Sequence, residues 1–297
     1  MRKVLKWTGV GFGGIVVLLV VAGVILFFRG SSRVDRSYEI QVENIEIPTS
    51  PEALARGKQL VTAPTGCWSC HGANLGGDVL FEEAGFGTLY APNLTSGEGG
   101  VGATYTDEDL VRSIRHGVAP DGNGLVLMPS DIFANLGEED LGAIIAYVKS
   151  VPPVDNEVPE PSIGFLGNIL FGAGLILDPL AAEWIDHEAP FRQAPSPGTT
   201  KEYGAYLVSI GFCQMCHGGD LTGGSLDAMS KDAPDLTTQG FAGSWSQEQF
   251  TSTLRTGVNP EGKHIDPEEM PWDIFTRLSD EELDAIWLYL RSLPASQ

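Results

Sequence analysis

Two stretches of the chain carry residues whose types and spacing could do chemistry. Thr65 to Asp78 reads TGCWSCHGANLGGD, and Gly211 to Gly224 reads GFCQMCHGGDLTGG. Each holds Cys-x-x-Cys-His: Cys67, Cys70 and His71 in the first, Cys213, Cys216 and His217 in the second. These are the only four cysteines in the chain. A thioredoxin-like disulfide needs no following histidine and expects a βαβ setting. A four-cysteine zinc site would need two pairs far apart in sequence to meet. Covalent attachment of c-type haem requires the histidine directly after the second cysteine. Two thiols add across the vinyl groups on one edge of the porphyrin. The two intervening residues set their separation, and the next residue falls beneath the ring, where an imidazole can ligate iron. Both motifs place the histidine identically, so the reading is two covalently bound c-type haems.

An iron held by one histidine takes a second protein ligand or keeps an open face. Met128 lies 57 residues after His71 and Met270 lies 53 residues after His217, each inside a shared MPxDIF. Met215 sits between two attachment cysteines and cannot reach the opposite face. Met229 follows His217 by only 12 residues and has no counterpart upstream. Proline after each methionine disfavours the helical region for the residue before it, so Met128 and Met270 are expected in extended loops laid against the haem face. A core methionine before a turn is the alternative, since methionine is a common gap-filler. His116 and His264 have no partner in the other copy and read as surface or structural. His187 reads as solvated.

The elements that must position these residues come as a duplication. ARGKQLV (55–61) matches EYGAYLV (202–208), APNLT (91–95) matches APDLT (233–237), and YTDEDLVRSIRHGV (105–118) matches WSQEQFTSTLRTGV (245–258). LGEEDLGAIIAYVKSVP (136–152) matches LSDEELDAIWLYLRSLP (278–294). Helix starts are legible: Ser50 before Pro51, and capping-box patterns at Thr199 with Glu202, Thr106 with Asp109, Ser246 with Gln249 and Ser279 with Glu282. Strand signals are scarce, and the remaining segments are glycine-rich loops.

The chain opens MRKVLKWTGVGFGGIVVLLVVAGVILFFRG, with 22 uncharged residues from Trp7 to Phe28. That is long enough to cross a bilayer as a helix. A cleaved signal peptide would have a shorter apolar run and a small-residue site after it, so an uncleaved anchor is expected. Arg2, Lys3 and Lys6 precede the span, and Arg29, Arg33 and Arg36 follow it, so the positive-inside rule leans only slightly to a cytoplasmic N-terminus. The formal net charge is −21, which disfavours nucleic acid and anionic surfaces and suits a basic patch on a partner protein. The expected organisation is an anchor at 1–30, a linker at 31–49, a domain at 50–153, a connector at 154–199 and a second domain at 200–297. The connector has proline-rich, acidic ends and an apolar middle, 163–177. That run is too short and glycine-rich to span a bilayer comfortably, so it reads as a buried or membrane-surface segment, or a docking patch for a partner.

This arrangement resembles a membrane-anchored dihaem cytochrome c, all-α, with two tandem class I cytochrome c domains after a transmembrane helix. The run APNLTSGEGGVGATYTDEDLVRSIRHGVAPDGNGLVLMP is similar to haem domains of the cytochrome subunits of bacterial membrane-bound alcohol, aldehyde and gluconate dehydrogenases. Those subunits usually carry three haems, and this chain has motifs for two. The resemblance implies haems on the outer face of the membrane, and Gly57 and Gly204 where the terminal helices of each domain cross, with Tyr147 and Tyr289 packed nearby. Arg115 and Arg255 read either as partners of haem propionates or as exposed helix residues. The expected activity is relay of single electrons between redox proteins (a dehydrogenase, a quinol-oxidising complex or a terminal oxidase), with no small-molecule substrate. A peroxidase-like dihaem enzyme and a fixed subunit of a larger complex are the alternatives.

Overall fold

Nothing between Trp7 and Phe28 interrupts a helix, and α1 runs from Arg2 to Val34. The computed structural model describes residues 2–176, 180–224 and 233–294; Met229 lies outside them. In the first copy, α2 spans Pro51–Thr62, α3 Cys67–His71, β1 Asp78–Glu83, β2 Gly87–Ala91, α4 Asp107–His116, α5 Ser130–Phe133 and α6 Glu138–Ser150. β3 (Ser162–Ile163), α7 (Phe165–Gly172) and α8 (Ala181–Trp184) follow in the connector. The second copy repeats the helices as α9 (Lys201–Ile210), α10 (Cys213–His217), α11 (Gln247–Thr256), α12 (Trp272–Phe275) and α13 (Asp280–Ser292).

The capping chemistry starts the helices where the sequence places it. Ser50 accepts from the Ala53 amide. Thr106 with Asp109, Ser246 with Gln249, and Ser279 with Glu282 close reciprocal capping boxes, each cap contributing about 1 kcal/mol. One start differs by a residue: Thr200, not Thr199, caps α9 by accepting from the Tyr203 amide. The extended backbone of Thr200 places its hydroxyl one step closer to the first free amides.

Within each copy the first and last helices cross at a glycine. A β-carbon on Gly57 would stand 1.9 Å from the Ala143 carbonyl oxygen, and one on Gly204 would stand 1.9 Å from that of Ala285. Only glycine allows the backbones so close. Tyr147 packs at the first crossing, its β-carbon 2.8 Å from the position a Gly57 β-carbon would take.

The two copies share one apolar core and meet across an approximate two-fold axis that the residue pairing reveals. Arg56 and Tyr203 occupy equivalent positions in α2 and α9, and they bond each other, Nη1 to hydroxyl at 2.8 Å. Gln59 donates to Glu282 in α13 at 2.7 Å; its counterpart Tyr206 donates to Asp140 in α6 at 2.7 Å. Arg56 grips Asp140 with two bonds, 2.8 and 2.7 Å, the fork geometry that makes arginine–carboxylate pairs strong. Burial pushes the Tyr203 phenol up to about 12 and raises Tyr206 as well, so both remain donors.

Two features depart from the sequence reading. β1 and β2 form an antiparallel hairpin, Asp78 opposite Ala91 and Glu83 opposite Gly87 with a bulge after Val79, and β3 extends it through Gly87–Ile163 and Thr88–Ser162. β1 is largely exposed and β2 evenly half-buried, so no alternating apolar face marks them in sequence. The connector also lies against the first copy: Asn93 donates to the Val154 and Asn156 carbonyls and Asn156 donates to that of Gly76. Beyond it, α7 packs against the end of α1.

Candidate haem sites

Each attachment motif forms a single helical turn entered from a left-handed residue. Gly66 (φ 58°) precedes α3, and Phe212 (φ 66°) precedes α10. The chain then turns back in the same way in both copies. Gly77 donates its amide to the His71 carbonyl, and Gly223 to that of His217, both at 2.9 Å. Leu75 (φ 59°) and Leu221 (φ 62°) are left-handed and buried. A leucine in that region is strained by about 1–2 kcal/mol, and here the strain recurs at the same place in each copy.

The histidines are aimed by backbone carbonyls. His71 Nδ1 donates to the Pro92 carbonyl at 2.8 Å, and His217 Nδ1 donates to that of Pro234 at 2.8 Å. An Asx turn follows each proline: Asn93 Oδ1 accepts from the Thr95 amide at 2.9 Å, and Asp235 Oδ1 from the Thr237 amide at 2.7 Å. The repeated APxLT is therefore the support that orients the imidazole. With Nδ1–H engaged, Nε2 is the nitrogen available to a metal, the usual arrangement behind a metal-bound histidine. Burial lowers both imidazoles below the ordinary histidine value, against a smaller opposing effect of the carbonyl bonds. Both are neutral near pH 7, as a ligand must be.

The cysteines are not paired as disulfides. Burial raises the Cys67 thiol and pushes Cys213 up to about 12, while Cys70 is exposed. Among the described residues, no group of three or more His, Cys, Asp or Glu could hold a metal ion, so the two cysteine pairs do not assemble a zinc site. The geometry fits the porphyrin: each turn presents two separate thiols and a carbonyl-oriented, neutral imidazole.

Met128 and Met270 sit in matching turns. The Ser130 amide donates to the Met128 carbonyl at 2.8 Å, and the Trp272 amide to that of Met270 at 2.7 Å. The intervening prolines have φ −80°, ψ 56° and φ −74°, ψ 61°. These are inverse γ-turns; proline's fixed φ pre-sets them. Both methionines are half-buried and pack against the core.

Likeness to known proteins decides between the readings. The family model for cytochrome c matches residues 54–152 and 202–294. The chain belongs to the cytochrome c family. Cytochromes c hold haem c covalently, and this chain is an electron-transfer protein of that kind. It is 32% identical over 272 residues to a nicotinate dehydrogenase subunit of Pseudomonas putida, covering 82% of this chain and 22% of that protein. It is 30% identical to the fructose dehydrogenase cytochrome subunit of Gluconobacter japonicus, covering 82% of this chain and 53% of that relative. A diheme cytochrome c-type protein of Cereibacter sphaeroides is 26% identical, with 84% of this chain and 91% of the relative covered. Apart from that last protein, the chain spans well under two thirds of these relatives.

Several residues of this cytochrome do other work than the sequence suggested. Arg115 is buried, bonded to Glu43 at 3.1 Å and to the Ala134 and Ala189 carbonyls at 3.3 and 2.6 Å. Arg255 binds the Thr276 carbonyl and Asp280. Both arginines thus fasten the helix before the methionine loop to the short helix after it. His187 is not simply solvated: its Nδ1 lies 3.0 Å from Nδ1 of His116, whose Nε2 lies 2.9 Å from Glu43. Buried His116 is structural, and His264 is exposed. The Pro92 and Pro234 carbonyls were legible only as a repeated motif, because a backbone acceptor leaves no mark on residue type.

Proposed function

We propose that the chain is a membrane-anchored dihaem c-type cytochrome that relays single electrons on the outer face of the membrane, between a respiratory donor and an acceptor. Cys67 and Cys70 anchor one haem and Cys213 and Cys216 the other. His71 and Met128 hold the first iron, His217 and Met270 the second. The haems supply reversible one-electron chemistry at iron. The protein supplies ligands, orientation and exclusion of water. Methionine ligation raises the reduction potential, and a closed iron leaves no place for a substrate. The two haem domains are assigned to 50–153 and 200–297, with 154–199 between them.

The observation that carries this reading is the reciprocal packing of the sites. Gly66, entering the first attachment turn, lies against Ile274 of α12, the short helix after Met270. Phe212, entering the second turn, meets Phe133 of α5, the short helix after Met128, edge-on, ring centroids 5.7 Å apart. Arg277 stacks over Trp68 of the first motif, 4.2 Å from the ring centre. The short helix that follows each methionine thus borders the other copy's attachment turn, an arrangement suited to passing electrons between two cofactors inside one chain.

Names of the relatives favour a more specific placement: a fixed cytochrome subunit of a dehydrogenase complex, receiving electrons from a catalytic partner. The acidic surface suits a partner with a basic face. The test is purification from native membranes with haem counting and redox titration. Two haems per chain, each reversible, and a copurifying dehydrogenase support both levels. One haem per chain overturns the relay.

A further inference from the structure

We infer that the connector segment 162–176 lies in the surface of the same bilayer that α1 crosses, making a second membrane contact that seats the haem domains at a fixed orientation. This rests on the reading of α1 as a membrane anchor. The chain from Ser162 to Ile176 contains no charged residue, and its helix α7 is fused to α1 by a reciprocal glycine crossing. A β-carbon on Gly30 would stand 1.9 Å from the Asn168 carbonyl oxygen, and one on Gly172 would stand 1.9 Å from that of Leu26. Phe27 and Phe165 stack with ring centroids 5.3 Å apart, and Arg33 donates to the Phe171 carbonyl at 3.2 Å. Helix α7 therefore runs beside residues 26–33, where the uncharged stretch of α1 ends.

Depth follows from length. A span needs about 20 residues, and α1 has 33. With Trp7 to Phe28 filling the hydrocarbon, the crossing at Gly30 falls at its outer boundary, and α7 falls there with it. The side chains that α7 and its flank leave uncovered are apolar: Phe165 is 62% exposed and Leu175 69%, beside Phe28 of α1 at 66%. With Phe165 stacked on Phe27, they extend the exposed apolar surface of α1, and a bilayer is the occupant that already surrounds α1. Glu82 and Glu83 of the adjoining hairpin, whose Gly85 carbonyl accepts from the Leu166 amide at 2.8 Å, set a limit. They hold the segment at the headgroup level, the roughly 5–10 Å depth of an interfacial helix.

Beyond the membrane the joint is locked by charge. Arg33 and Arg36 both bind Glu183, at 2.6 and 3.0 Å. The anchor is thus built into the fold rather than hung from a loose linker.

The test uses the full-length, haem-loaded protein in phosphatidylcholine–phosphatidylglycerol vesicles. Single cysteines L175C, F165C, V17C and E261C carry an environment-sensitive fluorophore; the unmutated protein, with its own cysteines bound to haem, is the labelling control. Headgroup-proximal nitroxide lipid should quench positions 175 and 165 by roughly twofold or more, with position 17 inside the bilayer and position 261 untouched. Position 17 shielded from water-soluble quencher while 175 and 165 ignore nitroxide lipid would overturn the inference and leave the anchor standing, pointing to a protein cover instead. Position 17 open to water-soluble quencher would overturn the anchor, and the inference with it.

Discussion

The two copies share the frame around the candidate haem ligands and differ in what is attached to it. Pro92 and Pro234 orient the histidines at the same distance, Leu75 and Leu221 carry the same strain, and the two Met-Pro turns are superimposable in their dihedrals. Around this frame the first copy acquires a hairpin, the connector, the anchor joint and the Glu43–His116–His187 contacts. In the second copy Thr256 stands where the first has His116. The first copy is the structural hub that joins the long apolar N-terminal helix. The second is held chiefly through its contact with the first. Duplication thus left the chemistry symmetric and gave the mechanical tasks to one half.

The most damaging way to probe this is at the shared crossings. Gly57→Ala and Gly204→Ala each drive a methyl into a carbonyl at 1.9 Å. Each should cost about 3 kcal/mol and impair haem loading, read by denaturation midpoint and haem content. Equal effects sharpen the symmetry; a tolerated change in either copy breaks it. Next is the interface, where symmetric positions carry unlike residues. Asp140→Asn leaves Arg56 buried with a weakened partner and should cost roughly 3 kcal/mol. Glu282→Gln, whose closest partners are neutral, should cost about 1 kcal/mol. Chemical denaturation of the two variants checks the ratio.

A smaller effect separates the copies by pH. Burial lowers His116 below the ordinary histidine value, against the raising influence of Glu43. Burial alone would raise Glu43, but the His116 bond and the Arg115 charge outweigh it, and its carboxyl sits below the usual range. Both groups are depressed, so the stability they contribute is present above their unfolded values and is lost as pH falls through the folded ones. The first copy should soften on acidification from about pH 6.5 downward. His116→Thr, which copies Thr256, should cost about 1–2 kcal/mol at neutral pH and flatten the slope of melting temperature against pH. An unchanged slope would remove His116 from the account. The smallest effect belongs to Phe212→Gly: relief of about 1–2 kcal/mol of left-handed strain against loss of the Phe133 contact and of partial burial against the core, together about 2 kcal/mol. Thermal stability should move by less than about 1 kcal/mol.

Much of this was legible before any coordinates. The paired Cys-x-x-Cys-His motifs and the five helix starts are written in residue type and spacing, and the two crossing glycines followed from the family resemblance. Thr199 and Thr200 are adjacent candidates for one cap, and only the φ and ψ of the chain chose between them. The hairpin at 78–91 escaped because neither the exposed β1 nor the evenly half-buried β2 carries an alternating pattern. The fates of Arg115 and His187 escaped for another reason: their partners are backbone carbonyls, or come from segments far away in sequence. The join of α7 to α1 showed only as an apolar run; the reciprocal role of Gly30 and Gly172 needed both backbones in view.

The central claim is that two haems are each closed by a methionine from their own copy. The measurement is the visible spectrum of the full-length protein with and without carbon monoxide, repeated on Met128→Ala and Met270→Ala. The account predicts no carbon monoxide shift in the parent. Each variant should lose about half of the sulfur-to-iron band, gain a shift on one haem only, and lower that haem's potential by on the order of 0.1 V, within the roughly 0.8 V that axial ligands command. A shift in the parent, or a methionine variant that leaves both haems unchanged, would contradict it.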